Sequence, residues 1–209
     1  MKALLSTSIV FLSFCSITMA QINRGNFMLG GNISASHNVS KISSSSSKTT
    51  VNSISNNATV AFFLAKNFCL GLGTPYEVQY TNYSGPDAYK TTTKTYGIKP
   101  FVRYYIPVSS NLFILTEGVG IITETVYHQE FNLLAQPYKN KSSGGNLGFG
   151  LGTGLAFKLN NHAILELEGN YQYTKSSIKA ENASESIKST ANKLFVSIGF
   201  NFLLPGRQE

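Results

Sequence analysis

Three histidines, His37, His128 and His162, and a single aspartate, Asp87, are among the scarcest chemically useful side chains in this 209-residue chain. That scarcity bounds the chemistry. EF-hand loops, two-metal nucleases and paired-aspartate proteases all need several aspartates. Neither HxxxH nor CxxC spacing occurs, so no metal or other cofactor is expected. Serines crowd the stretch after His37, but five of them form the unbroken run Ser43 to Ser47, which reads as a flexible loop tip. A hydrolase needs a nucleophile whose base is held by a third group, and no spacing here supplies one. The glycine-rich stretch Gly144 to Gly154 lacks the Lys-Ser/Thr ending of a phosphate loop.

A different set is more informative. Glu77, Lys99, Arg103, Glu117, Lys158, Glu166, Glu168 and Lys193 each interrupt an apolar, alternating segment. Four acids against four bases inside one fold imply ion pairing, because an unpaired buried charge is very costly. Arg103 is the expected bidentate partner of Glu117 or Glu166, since a planar guanidinium matches a carboxylate with two parallel N–H donors. Such a set builds either a polar structural core or a narrow, gated ion path.

The elements that would position these charges have a period of two. From Ala163 to Thr174, Leu165, Leu167, Tyr171 and Tyr173 alternate with Ile164, Glu166, Glu168, Asn170 and Gln172. Successive side chains of a strand point to opposite faces, so this is a strand. Asn146 to Lys158 and Lys193 to Leu204 repeat the pattern. Phe27–Ala35, Ala58–Leu64, Leu70–Tyr80 and Tyr96–Ile106 fit as well. Leu112–Tyr127 is apolar on both faces, and its parity is set only by turning Glu117 inward.

Lys66-Asn67, Pro107 to Asn111 and Asn160-Asn161 have turn chemistry. Between them lie longer polar stretches, roughly 38–52, 82–93, 128–143 and 175–190, expected to be loops. Eight strands with three short turns and four long loops make an up-and-down meander. Residues 1–20 read as a signal peptide: Lys2 is the positive region, Ala3 to Phe14 the apolar one, and Thr18-Met19-Ala20 the small-x-small cleavage pattern. The remaining domain, 21–209, then keeps one cysteine, Cys69, and no internal disulfide is possible.

Which face is inside decides the class. Gly148, Gly150, Gly152 and Gly154 lie on one face of their strand, with Leu147, Phe149, Leu151, Leu155 and Phe157 on the other. Glycines cannot fill a soluble core, and the opposite row would be left in water. A transmembrane barrel inverts the arrangement, with an apolar band toward lipid and a polar lumen. A lipocalin-like soluble carrier is the weaker alternative. The low charge content, 13% against about 25% for a soluble domain, agrees.

Val60 to Gly73 (VAFFLAKNFCLGLG) and Lys99 to Pro107 (KPFVRYYIP) resemble the outer-membrane β-barrel, porin-family proteins common in Bacteroidetes. Leu155 to Tyr173 (LAFKLNNHAILELEGNYQY) is similar to the third turn and seventh strand of that family. Phe195 to Phe202 (FVSIGFNF) resembles the aromatic final strand that barrel-assembly machinery reads, although seven residues, Leu203 to Glu209, follow it. The resemblance spans the chain beyond residue 20 and implies an all-β, eight-stranded antiparallel barrel of the OmpA/OmpX type, in a Gram-negative outer membrane.

Its expected role is structural, adhesive or recognitive through the long extracellular loops. A narrow gated channel is the alternative, and a lipid-modifying hydrolase a distant third. The formal net charge is +7. Loop lysines such as Lys41, Lys48, Lys90, Lys94, Lys139, Lys141, Lys175, Lys179 and Lys188 carry much of the positive charge. Outer-membrane lipid and lipopolysaccharide are expected partners, besides the assembly machinery. Nucleic acid is not, because no basic face is interleaved with stacking aromatics. The extracellular ligand is not legible from sequence.

Overall fold

The structure is a computed structural model that describes residues 21–41, 48–84, 88–132, 137–180 and 186–206. The proposed leader, 1–20, lies outside these residues, as do the serine run and Asp87. Eight strands follow one another: β1 (Phe27–Lys41), β2 (Lys48–Ala65), β3 (Phe68–Ser84), β4 (Tyr89–Pro107), β5 (Leu112–Asn132), β6 (Pro137–Asn160), β7 (Ala163–Ala180) and β8 (Ile187–Leu204). Each pairs antiparallel with its sequence neighbours, and β8 returns to β1, closing the barrel. Closure leaves every strand with two partners, which satisfies the backbone groups that hydrocarbon cannot.

The ring is staggered. A path along the register from Phe27 through Phe62, Leu70, Val102, Gly118, Leu151 and Tyr171 arrives on β8 at Leu194. Phe27 itself pairs with Leu204, ten residues further along β8. This offset tilts the strands and fixes the barrel's diameter together with the strand number.

Parity follows the alternation. Leu151 and Val196 are each 62% exposed on the outer wall, whereas Arg103 and Glu166 are each 2% exposed inside. On β5, Phe113, Leu115, Val119 and Ile121 are buried beside Glu117, so the strand that looked apolar on both faces does point Glu117 inward.

The short turns sit at one end. Asn67 adopts φ 60°, a left-handed conformation that asparagine tolerates better than most residues. The Asn160 side chain accepts from the His162 amide at 2.7 Å, and the third turn falls one residue later, at Asn161-His162.

The four polar stretches are not loops over most of their length. The β3–β4 ladder runs to Tyr83↔Tyr89, β5–β6 to Asn132↔Pro137 and β7–β8 to Ile178↔Ile187. His128 accordingly lies within β5. These ribbons are rich in Thr, Ser and Tyr, of which β-branched Thr and aromatic Tyr suit a pleated surface. Where both faces are polar the alternation disappears from the sequence, although the backbone keeps pairing.

One seam is shorter than the rest. β1 pairs with β2 from Phe27 to Lys41, but with β8 only from Phe27↔Leu204 to Ile33↔Ile198. Among the described residues, the β1 and β8 edges have no ladder between them above Ile33 and Ile198.

Candidate functional site

The lumen is built in three layers, which the alternation of β4, β5, β7 and β8 places one above another. At the turn end is an apolar floor. Ile22, from the segment preceding β1, is 1% exposed and is tied to the β2–β3 turn. Its amide donates to Asn67 Oδ1 at 2.8 Å, and the Asn67 amide donates to the Ile22 carbonyl at 3.0 Å. Gly25 N donates to the Phe63 carbonyl at 2.8 Å and Phe63 N to the Asn26 carbonyl at 2.9 Å. Met28, Phe63, Phe113, Leu115, Ile164 and Leu203 pack with Ile22 in one buried cluster. Tyr105 lies among them, its ring 5.9 Å from that of Phe63 and 6.0 Å from that of Phe113.

Above the floor, one guanidinium meets three carboxylates. Arg103 Nε donates to Glu117 Oε2 at 2.9 Å, and Nη2 to the same oxygen at 2.5 Å. Arg103 Nη1 donates to Glu166 Oε2 at 2.9 Å and Oε1 at 3.2 Å. Glu168 Oε1 stands 3.5 Å from Nη2 without a hydrogen-bond partner. The Tyr105 hydroxyl donates to Glu166 Oε1 at 2.7 Å, and Phe101 lies beneath the guanidinium at 5.0 Å. Arg103 thus serves Glu117 and Glu166 together rather than one of them. Asn170 and Ser197 extend the network, with Asn170 Nδ2 donating to Ser197 Oγ at 3.1 Å.

The third layer is a cavity of about 430 Å³ toward the ribbon end, lined by Ser53, Asn57, Thr95, Thr125, Asn146 and Gln172 among others. Glu77, Lys99 and Lys193 also line it, and Lys193 Nζ donates to Glu77 Oε1 at 2.6 Å. All eight inward charges therefore face the interior, in separate groups. Arg103 gathers Glu117, Glu166 and Glu168. Lys193 takes Glu77, Lys99 stands on the cavity wall, and Lys158 lies toward the floor beside Ile164 in the register.

The histidines do not assemble. His37 Nδ1 is hydrogen-bonded to Asn52 Oδ1, His162 Nδ1 lies 3.3 Å from the Leu203 carbonyl, and His128 is exposed on β5. β1 and β5 stand on opposite sides of the ring. Among the described residues no group of three His, Cys, Asp or Glu is arranged to hold a metal ion.

Sequence reasoning missed Tyr105 and Ile22. Tyr105 shares the face of Arg103 two residues earlier, so its parity carried the signal. Ile22 precedes the first strand, and no periodicity marks it.

An all-antiparallel closed barrel with an apolar outer band, a polar interior and short turns at one end is a transmembrane β-barrel of the outer-membrane type. The outer membrane protein beta-barrel domain matches residues 6–202, and the chain belongs to that family. It is a protein of the Gram-negative outer membrane. No curated protein matches it. Solved structures similar to it include the outer membrane protein OprG from Pseudomonas aeruginosa, at 17% identity over 87% of this chain and 97% of that one, with a TM-score of 0.44. AlkL in lipid bilayers is 12% identical over 90% and 95%, with a TM-score of 0.47. The N-terminal β-barrel domain of Pseudomonas aeruginosa OprF is 8% identical over 88% and 100%, with a TM-score of 0.38.

Proposed function

We propose that this protein acts at the cell surface through its ribbons, as an adhesive or recognition barrel, and that it does not conduct ions. The observation that carries this reading is the double closure of the lumen. The Arg103 cluster and, below it, the Ile22 floor fill the cross-section with side chains that are almost wholly buried. An eight-stranded barrel is just wide enough for side chains to fill, so an ion would have to break an ion-paired layer and an apolar one in sequence. The ribbons continue as paired strands above the aromatic rows, and the β3–β4 ribbon ends in the Tyr83–Tyr89 pair, whose rings stack at 5.0 Å. A paired-strand display of Thr, Tyr and Lys side chains suits contact with a surface ligand. Residues 1–20 are proposed to be removed on export, and barrel-assembly machinery to insert the rest.

Planar-bilayer recording of the purified protein tests this directly. The expected trace shows no step conductance, while the double variant Ile22→Gly/Arg103→Ala leaks. Stepwise conductance from the unmodified protein would reverse the reading in favour of a gated channel. Shortening the ribbons above Tyr80 and Tyr96 is expected to abolish adhesion of the bacterium to its target surface while leaving the barrel heat-modifiable on gels.

A further inference from the structure

The outer wall of β5–β8 carries a groove of about 600 Å³. Its lining follows from the register. One row reads Ile122, Leu147, Lys175, Thr190 across the four strands, and the next reads Glu124, Gly145, Ser177, Lys188. Ile122, Leu147, Lys175, Thr190, Gly145, Ser177 and Lys188 are all exposed, and inward neighbours contribute to the lining between them. Gly145 leaves the middle of the second row empty: a Cβ built there meets no atom within 4 Å.

The groove is chemically divided. Toward β5 and β6 it is apolar, with Ile122 49% and Leu147 65% exposed. Toward β7 and β8 it offers two ammonium groups and two hydroxyls, from Lys175, Lys188, Ser177 and Thr190. Glu124 is the only acid in these rows, and it sits at the β5 end, where the Tyr96 hydroxyl hydrogen-bonds it. The cationic side therefore has no neighbouring carboxylate within the rows.

Height in the membrane comes from the row below, which holds Phe149 and Tyr173 with ring centroids 5.5 Å apart. Aromatic residues of this kind sit at the headgroup level, so Lys175 and Lys188 stand where lipid phosphates begin. Below them Phe149, Leu151 and Val196 continue the apolar wall.

We propose that this groove seats the phosphorylated headgroup of an outer-leaflet glycolipid. Lys175 and Lys188 meet the phosphate, Ser177 and Thr190 donate to phosphate or sugar oxygens, and the acyl chains lie on Ile122, Leu147 and the wall beneath. Charge complementarity and the position at the aromatic row select this occupant. The assignment rests on the outer-membrane location alone, so it stands or falls separately from the surface-recognition reading.

Native mass spectrometry of the full barrel, released from detergent with added diphosphoryl lipid A, tests it. The unmodified protein is expected to retain one lipid A, and Lys175→Gln/Lys188→Gln to retain it about tenfold or more weakly, the scale that two lysines near an anionic surface set. Gly145→Leu fills the groove without changing charge and is expected to weaken retention as well, while Lys90→Gln on β4 leaves it unchanged. Heat-modifiable mobility confirms that each variant is folded. Equal retention by the lysine double variant, equal binding of dephosphorylated lipid A or phosphatidylglycerol, or full displacement by millimolar inorganic phosphate would each overturn the assignment.

Discussion

Arg103 on β4 reaches across the lumen to Glu166 on β7, strands that are not neighbours in the ring, with Nη1 2.9 Å from Oε2. The same guanidinium holds Glu117 on the adjacent β5. One side chain thus ties opposite walls together where three carboxylates are withdrawn from water. Arg103→Met is expected to lower stability by about 3–5 kcal/mol, the cost of leaving buried charges without their partner. Arg103→Lys is expected to recover only part of it, because a point charge cannot fork between two carboxylates. Urea titration of the detergent-refolded barrel, followed by heat-modifiable mobility, measures both. Stability unchanged in Arg103→Met would show that the cluster is not what fastens the walls.

Gly152 explains how those carboxylates fit. It lies between Glu117 on β5 and Asn170 on β7 in the register. A Cβ there would come within 2.8 Å of Asn170 Oδ1 and 3.6 Å of Glu117 Cβ. The inward glycines of β6 therefore make room for larger neighbours rather than for a ligand. Gly152→Val is expected to cost about 1–3 kcal/mol, the usual range for overpacking. Combined with Arg103→Met the loss should be less than additive, since both disturb Glu117. Strict additivity in a double-mutant cycle would contradict this coupling.

What was legible in the sequence was whatever the lipid boundary imposed. Leu151, Phe149 and Val196 must be apolar and Glu166, Glu168 and Arg103 must turn away from them, so alternation names both faces and the cluster. The ribbons were illegible for the same reason. Thr91, Thr92 and Thr93 are polar on both faces, so the sequence shows no period of two there, and the register with β3 and β5 is what marks them as extended. Ile22 was illegible because a plug from outside the strands obeys no strand period. The groove of Lys175 and Lys188 needed three-dimensional register, since its members come from strands far apart in the chain.

The outer wall should penalise charge by depth. Leu151 is 62% exposed to the surroundings near the middle of the β6 apolar band, and Leu159 is 57% exposed at its turn-side edge. Leu151→Arg is expected to destabilise by about 2–4 kcal/mol and Leu159→Arg by about 0–1 kcal/mol. Refolding titrations into lipid vesicles give both values. Equal penalties would mean that the hydrocarbon layer is not centred on this band.

The short β1–β8 seam should be visible in exchange. Every other pair of neighbouring strands is joined by a longer ladder, but here pairing stops at Ile33↔Ile198. Leu194, just above it, is 81% exposed. Open edges are costly in hydrocarbon, yet the ladder stops at Ile198 while Val196 and Leu194, the next outward residues of β8, still carry the apolar wall. Amides of β8 from Ile187 to Ser197 that face β1 are therefore expected to exchange orders of magnitude faster than those facing β7, because no ladder must open first. Residue-resolved hydrogen exchange in detergent micelles distinguishes the two sets. Equal protection on both edges would mean that β1 and β8 zip together above Ile198 in solution.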